Sequence, residues 1–156
     1  MLFQQLNRTD ADKVFIICRN TSGGTLAVNL PVYFETDAVS NGNAVSQMVT
    51  AGNLLFAGVN DAALSDSSYG LVQCYGFRSS VVTCAVVSSY SAVPGTRLIG
   101  VAGAAYLAYG SMLSAGITTE ALLIQSLDNF VISMETIASA DGKSATGNTA
   151  CFIRAL

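Results

Sequence analysis

Four thiols and a scatter of carboxylates are the side chains in this sequence with the means to do chemistry, and there is no histidine to work with them. Without imidazole there is no Ser-His or Cys-His pair and no general base of the commonest kind. No Gly-x-Ser-x-Gly elbow and no Ser-x-x-Lys occurs. Gly95 and Gly100 have the spacing of a phosphate-binding loop, but Val101 stands where that loop needs lysine. Gly100-Val101-Ala102-Gly103 lacks the three spaced glycines of a dinucleotide fingerprint. The cysteines are Cys18, Cys74, Cys84 and Cys151, each inside an apolar run and none in a Cys-x-x-Cys pair. A zinc site would need all four to converge. Their setting reads instead as small, buried core thiols, reduced and of intracellular origin, since no secretory signal precedes them. Asp10 with Asp12, and Glu35 with Asp37, are two apart and share a face of an extended chain. Glycoside cleavage needs two carboxyls across a cleft, and these pairs sit in polar segments that water solvates. Asp61 and Asp66 offer loop oxygens to calcium, without the spacing of a calcium-binding helix-loop-helix. The expectation is a chain that is not an enzyme, with no catalytic, cofactor-binding or metal-binding residues.

The elements that must carry these residues are short and mostly extended. Lys13 to Arg19 is an apolar run bracketed by charge, with the length and branching of a buried strand. Val28 to Phe34 is a second, demoted by Pro31 to an edge or a bulge. Gln47 to Thr50 and Leu54 to Val59 follow around Ala51-Gly52-Asn53. Tyr69 to Tyr75 alternates, with Leu71, Gln73 and Tyr75 on one face and Val72 and Cys74 on the other. Gly76-Phe77-Arg78 is short enough to turn a hairpin into Val81 to Val87. Pro94-Gly95 breaks the chain before Arg97 to Val101, and Gly95 to Leu98 echoes Gly52 to Leu55. Thr118 to Leu127 is the one helix candidate, with Thr118 as cap and Glu120 in the first turn. Phe130 to Glu135 and Cys151 to Leu156 close the chain as strands. Turns every eight to twelve residues or so point to a mainly β chain, a small β-barrel or β-sandwich with at most one short helix. Residues 1–12 read as an N-terminal arm or lead-in and 13–156 as a single β domain.

Charged residues make up only 11% of the 156, against about 25% in an ordinary soluble domain. A chain of this length buries a proper core and must still coat itself. The polar coat here is thin and mostly Ser, Thr, Asn and Gln, so part of the surface is expected to be covered by other subunits. The 22 uncharged residues between Arg97 and Glu120 are long enough to span a bilayer. They are interrupted by glycines and serines, however, and uncharged runs recur along the whole chain, so no membrane association is expected. The seven basic residues are scattered singly in a chain of net charge -3, which leaves no footprint for nucleic acid.

Tyr69-Gly70-Leu71-Val72-Gln73-Cys74-Tyr75-Gly76 resembles the Tyr-Gly-x-Val-Gln-x-x-Gly segment of small structural proteins of tailed bacteriophages. Val93-Pro94-Gly95-Thr96-Arg97-Leu98 is similar to their next element, and Cys151-Phe152-Ile153-Arg154-Ala155-Leu156 to their C-terminal strand. The likeness covers roughly residues 50–156 and points to the capsid decoration, or cement, proteins. It implies a non-enzymatic virion subunit made in the host cytoplasm. Such a subunit binds the outer surface of the head against the major capsid protein, as a homo-oligomer with a trimer favoured, and needs no cofactor. The expected assembly contacts are the arm residues Leu2, Phe3 and Leu6 and the outer face of the last strand, Phe152, Arg154 and Leu156. The alternatives are another phage structural subunit, of the tail tube or head-completion kind, and a ligand-binding β module using Tyr90, Tyr106 and Tyr109.

Overall fold

A computed structural model of the chain describes residues 12–35, 42–47, 55–85, 93–100, 105–109, 130–137 and 145–155. The arm residues Leu2, Phe3 and Leu6, the helix candidate at 118–127 and Leu156 lie outside them. Every regular element among the described residues is a strand: β1 (Val14–Asn20), β2 (Pro31–Phe34), β3 (Ala44–Ser46), β4 (Phe56–Asn60), β5 (Tyr69–Ala85), β6 (Arg97–Gly100), β7 (Leu107–Tyr109), β8 (Phe130–Ser133) and β9 (Ala145–Arg154). The expectation of a mainly β chain is met.

The nine strands form one continuous sheet that closes on itself twice. In the first ring β1 runs parallel to β3, and β3–β2, β2–β4, β4–β5 and β5–β1 are antiparallel. In the second β5 runs parallel to β7, and β7–β6, β6–β8, β8–β9 and β9–β5 are antiparallel. The two rings have the same pairing scheme, each strand of the first answering to the strand four places later in the second. They are two small barrels of one topology fused through β5, which belongs to both. The resemblance between Gly52–Leu55 and Gly95–Leu98 is not this repeat: Leu55 immediately precedes β4, Leu98 is in β6, and the scheme matches β6 to β2.

Each barrel has its own core. Cys18, Leu26, Leu30, Val32, Val45, Ala57, Leu64 and Val72 fill the first. Val81, Leu98, Leu107, Val131, Cys151 and Ile153 are among those that fill the second, joined by Tyr33, Phe56 and Val59 from the first ring. Ile16 packs against both.

The 17 residues of β5 correct one expectation. Gly76-Phe77-Arg78 does not turn a hairpin; the strand runs straight through it. Gly76 is used for close approach instead. Its φ is +101°, and a Cβ there would stand 2.1 Å from the carbonyl oxygen of Asp12. Gly58, with φ +141°, would likewise meet the Gln73 carbonyl at 2.2 Å, where β4 crosses β5. Between Arg78 and Val81 the pairing with β9 slips, placing Ser79 and Ser80 opposite Ala150 alone, a bulge that bends the strand as it passes between barrels. Pro31 opens β2 at its first residue, and a register shift follows at Val32/Tyr33, but β2 is an interior strand between β3 and β4 rather than an edge.

Candidate assembly surface and polar cleft

The outer face of the β1–β5 ladder is the feature that the core does not explain. Cys18 and Asn20 of β1 point inward and are buried, and so do Val72 and Cys74 of β5. The alternation of strands then sends Phe15, Ile17 and Arg19 outward from β1, and Tyr69, Leu71 and Tyr75 outward from β5. Register brings them side by side: Ile17 is opposite Leu71 and Arg19 opposite Tyr69, while Val14 faces Tyr75 beyond a bulge. Ile17 is 66% exposed, Tyr69 62% and Leu71 47%. With Val14, Phe15 and Tyr75 they make an apolar strip, broken between Leu71 and Tyr75 by Gln73, which lies opposite Phe15, is buried and lines the cleft described below. At roughly 200 Å² for a fully exposed large side chain, it presents on the order of 600 Å² of exposed surface. That is the upper end of what a soluble monomer shows in its largest patch, and about three quarters of one partner's share in an ordinary protein interface.

The strip continues onto β9. The ring of Phe152, half-buried, meets Tyr75 edge to face, centroids 5.3 Å apart at 81°. Arg154 is exposed and lies in register between Tyr75 and Phe130. Cys151 and Ile153, between them, are fully buried. The alternation expected in the last strand therefore holds from Cys151 to Arg154, and Phe152 and Arg154 adjoin a surface that sequence reasoning did not find. Val14 to Cys18 reads as a strand apolar on both faces, and such a run looks the same whether its outer face is covered by its own chain or left open. The alternation from Tyr69 to Tyr75 was the available signal.

Next to the strip, where β1 begins, an open cleft of about 200 Å³ is lined by Lys13, Phe15, Asn29, Asp61, Gln73, Arg78, Ser79 and Ser80. Arg78 is its hub. The bulge in β5 carries the guanidinium to the end of β4 and to the loop before β2. Its Nη1 donates to Asp61 Oδ1 at 2.9 Å and to Gln73 Oε1 at 3.2 Å. Nη2 donates to Asn29 Oδ1 at 2.8 Å and to the Asn60 carbonyl at 3.0 Å. Nε donates to the Ser80 carbonyl at 3.1 Å and shares Asn29 Oδ1 at 3.2 Å. Every N–H of the group is engaged. A buried cation is tolerated on such terms, and here it ties the first barrel to the second half of β5. Two buried asparagines do similar service nearby: Asn20 Nδ2 donates to the Gly24 and Leu64 carbonyls, and Asn60 Nδ2 to those of Ala27 and Ala62.

The groups with chemical potential are otherwise occupied. All four cysteines are free thiols and buried. Burial pushes Cys18 up to about 11, helped by Cys74, and Cys151 up to about 12, helped by Glu135. Burial also raises Cys74 and Cys84. Thiols held neutral in this way are poor nucleophiles and poor metal ligands. Asp61 is paired with Arg78, and Asp66 accepts from the backbone N–H of Gly23 and the hydroxyl of Ser67. Among the described residues no three Cys, Asp or Glu side chains gather as a metal site. Of the three tyrosines considered for a ligand groove, Tyr106 shares a side-chain hydrogen bond with Cys84, and Tyr90 lies outside the described residues. Asp10 and Asp37, one member of each carboxylate pair, are outside them too. No helix among the described residues is long and apolar enough to cross a membrane.

No family model matches this chain, and no curated protein matches it in sequence.

Proposed function

We propose that the protein is a non-catalytic structural subunit of a virion, a decoration protein that binds the outer surface of a tailed-phage head and braces it. One observation carries this reading: the apolar strip on the outside of β1 and β5, presented by a chain with 11% charged residues. Such a surface belongs against another protein. The likeness of Tyr69–Gly76 to a segment of small phage structural proteins supplies the kind of assembly, and that segment is the very stretch of β5 from which Tyr69, Leu71 and Tyr75 project. Modest contacts repeated over a shell add up through avidity, so each subunit can bind weakly and the lattice still gain. The major capsid protein is the proposed partner, and the subunit is proposed to act as a homo-oligomer, a trimer in the favoured case.

The test is thermal. Purified protein added to expanded, undecorated heads of its own virus should bind saturably and raise their melting temperature. Heads that neither take up the protein nor gain stability would refute the reading. A subunit found in rings that line a lumen would favour the tail-tube alternative.

A further inference from the structure

The apolar strip has charged ends, and those ends say what covers it. Lys13 stands at one end of β1 beside the cleft, and Arg19 at the other, about 20 Å away at the rise of an extended chain. Both are exposed, and neither side chain forms an ion pair among the described residues. Among the described residues the nearby carboxylates do not answer Lys13 or Arg19. Asp61 is held by Arg78, and Asp66 by Gly23 and Ser67. Asp12 precedes Lys13 but forms no ion pair with it. The face is thus apolar in the middle and cationic at its rim, on a protein whose net charge is -3.

A second copy set face to face on this strip about a two-fold axis is a poor occupant. A two-fold axis through the strip would lay Lys13 over Lys13 or over Arg19 of its mate. Like charges set against each other across an interface oppose association. The complementary occupant is a different surface, apolar at its centre and bearing carboxylates about 20 Å apart at its edge. We infer that the outer face of β1 and β5 docks onto such an acidic-rimmed apolar surface of another protein. Resting on the function proposed above, that surface is the outside of the head shell. Sister copies must then meet through some other face.

The experiment is binding to undecorated heads, followed at rising ionic strength, for the wild type and three double variants of exposed residues. Ile17→Ser with Leu71→Ser removes the apolar centre and should weaken binding by about tenfold or more. Lys13→Gln with Arg19→Gln removes the rim. It should also weaken binding severalfold and abolish most of the salt dependence that the wild type shows. Val28→Asp with Val93→Asp alters net charge by the same amount at exposed positions elsewhere, and should bind as the wild type does. Wild-type protein that fails to bind heads overturns the function and this inference together. Wild-type binding shared undiminished by the Ile17/Leu71 and Lys13/Arg19 variants overturns the docking face alone. Loss with the Ile17/Leu71 pair but not with the Lys13/Arg19 pair overturns the acidic rim. Sedimentation completes the test: self-association of the wild type that Ile17→Ser with Leu71→Ser abolishes would make a second copy the occupant and overturn the inference.

Discussion

The hydroxyl of Tyr33 is buried in the core with no hydrogen-bond partner among the described residues. The ring itself is well placed, edge-on to Phe56 with centroids 5.7 Å apart, and burial drives the phenol well above its ordinary range. A desolvated hydroxyl that makes no bond costs more than the apolar atom that would replace it. Tyr33→Phe should therefore raise the denaturation midpoint, by about 1 kcal/mol of stability. A drop in the midpoint would show that the hydroxyl is satisfied after all. Side chains of this kind mark the limit of what can be read from sequence. The burial of the four cysteines was legible, because each interrupts an apolar run. The loneliness of one hydroxyl was not, because it depends on which strands meet around it. Arg78 was equally opaque: in the sequence it is one of seven scattered cations, and only the fold gathers Asn29, Asn60, Asp61 and Gln73 about it.

At the level of elements, β5 is where expectation and structure part. A glycine followed by a bulky residue and a charge reads as a turn, and the apolar runs on either side read as the arms of a hairpin. What the chain does instead is keep going, because β1, β4, β7 and β9 supply it with partners along both edges. Long-range pairing of that kind overrides local turn chemistry. Some short elements, by contrast, were legible: Pro94-Gly95 does break the chain before β6, and β8 falls where alternation put it, but β9 begins at Ala145, six residues ahead of the expected Cys151, and β3 and β7 were not expected at all. Arg78 holds the bulge of β5 against the end of β4. Arg78→Ala should cost about 3 kcal/mol or more in chemical denaturation, since it leaves several buried acceptors unpaired. Arg78→Lys should recover only a minor part, because one ammonium cannot reach partners that a planar fork spans. Full recovery by lysine would mean that charge alone, not the set of bonds, matters at the bulge.

For the molecule as a whole, four thiols are kept protonated by the two barrels. In the unfolded chain they ionise near their ordinary value of 9.0, whereas in the fold Cys18 holds its proton to about 11 and Cys151 to about 12. Between those limits the native state binds more protons than the unfolded state, so stability must fall as pH rises through the window. Below pH 9 the thiols contribute no slope. The urea midpoint should decline from about pH 9 upward, and Cys18→Ala with Cys151→Ala should flatten the decline even if it lowers the midpoint at neutral pH. An equally steep decline in that variant would assign the effect to other groups. The doubled barrel was not visible in the sequence at all. Five strands can repeat their pairing scheme while sharing almost no residue pattern, since pairing depends on backbone edges and only loosely on which apolar residue fills each core.

A strand that belongs to two barrels also sets an order of events during synthesis. The first ring is complete once the chain has been made through Tyr75, and it can close while the rest is still on the ribosome. The remainder of β5 then emerges unpaired along the edge that only β9, the last strand, will cover. That interval exposes an open strand edge, the usual seed of aggregation in β proteins. The bulge at Ser79 and Ser80 sits in this waiting segment, where a bent and polar stretch is a poor template for a stranger's strand.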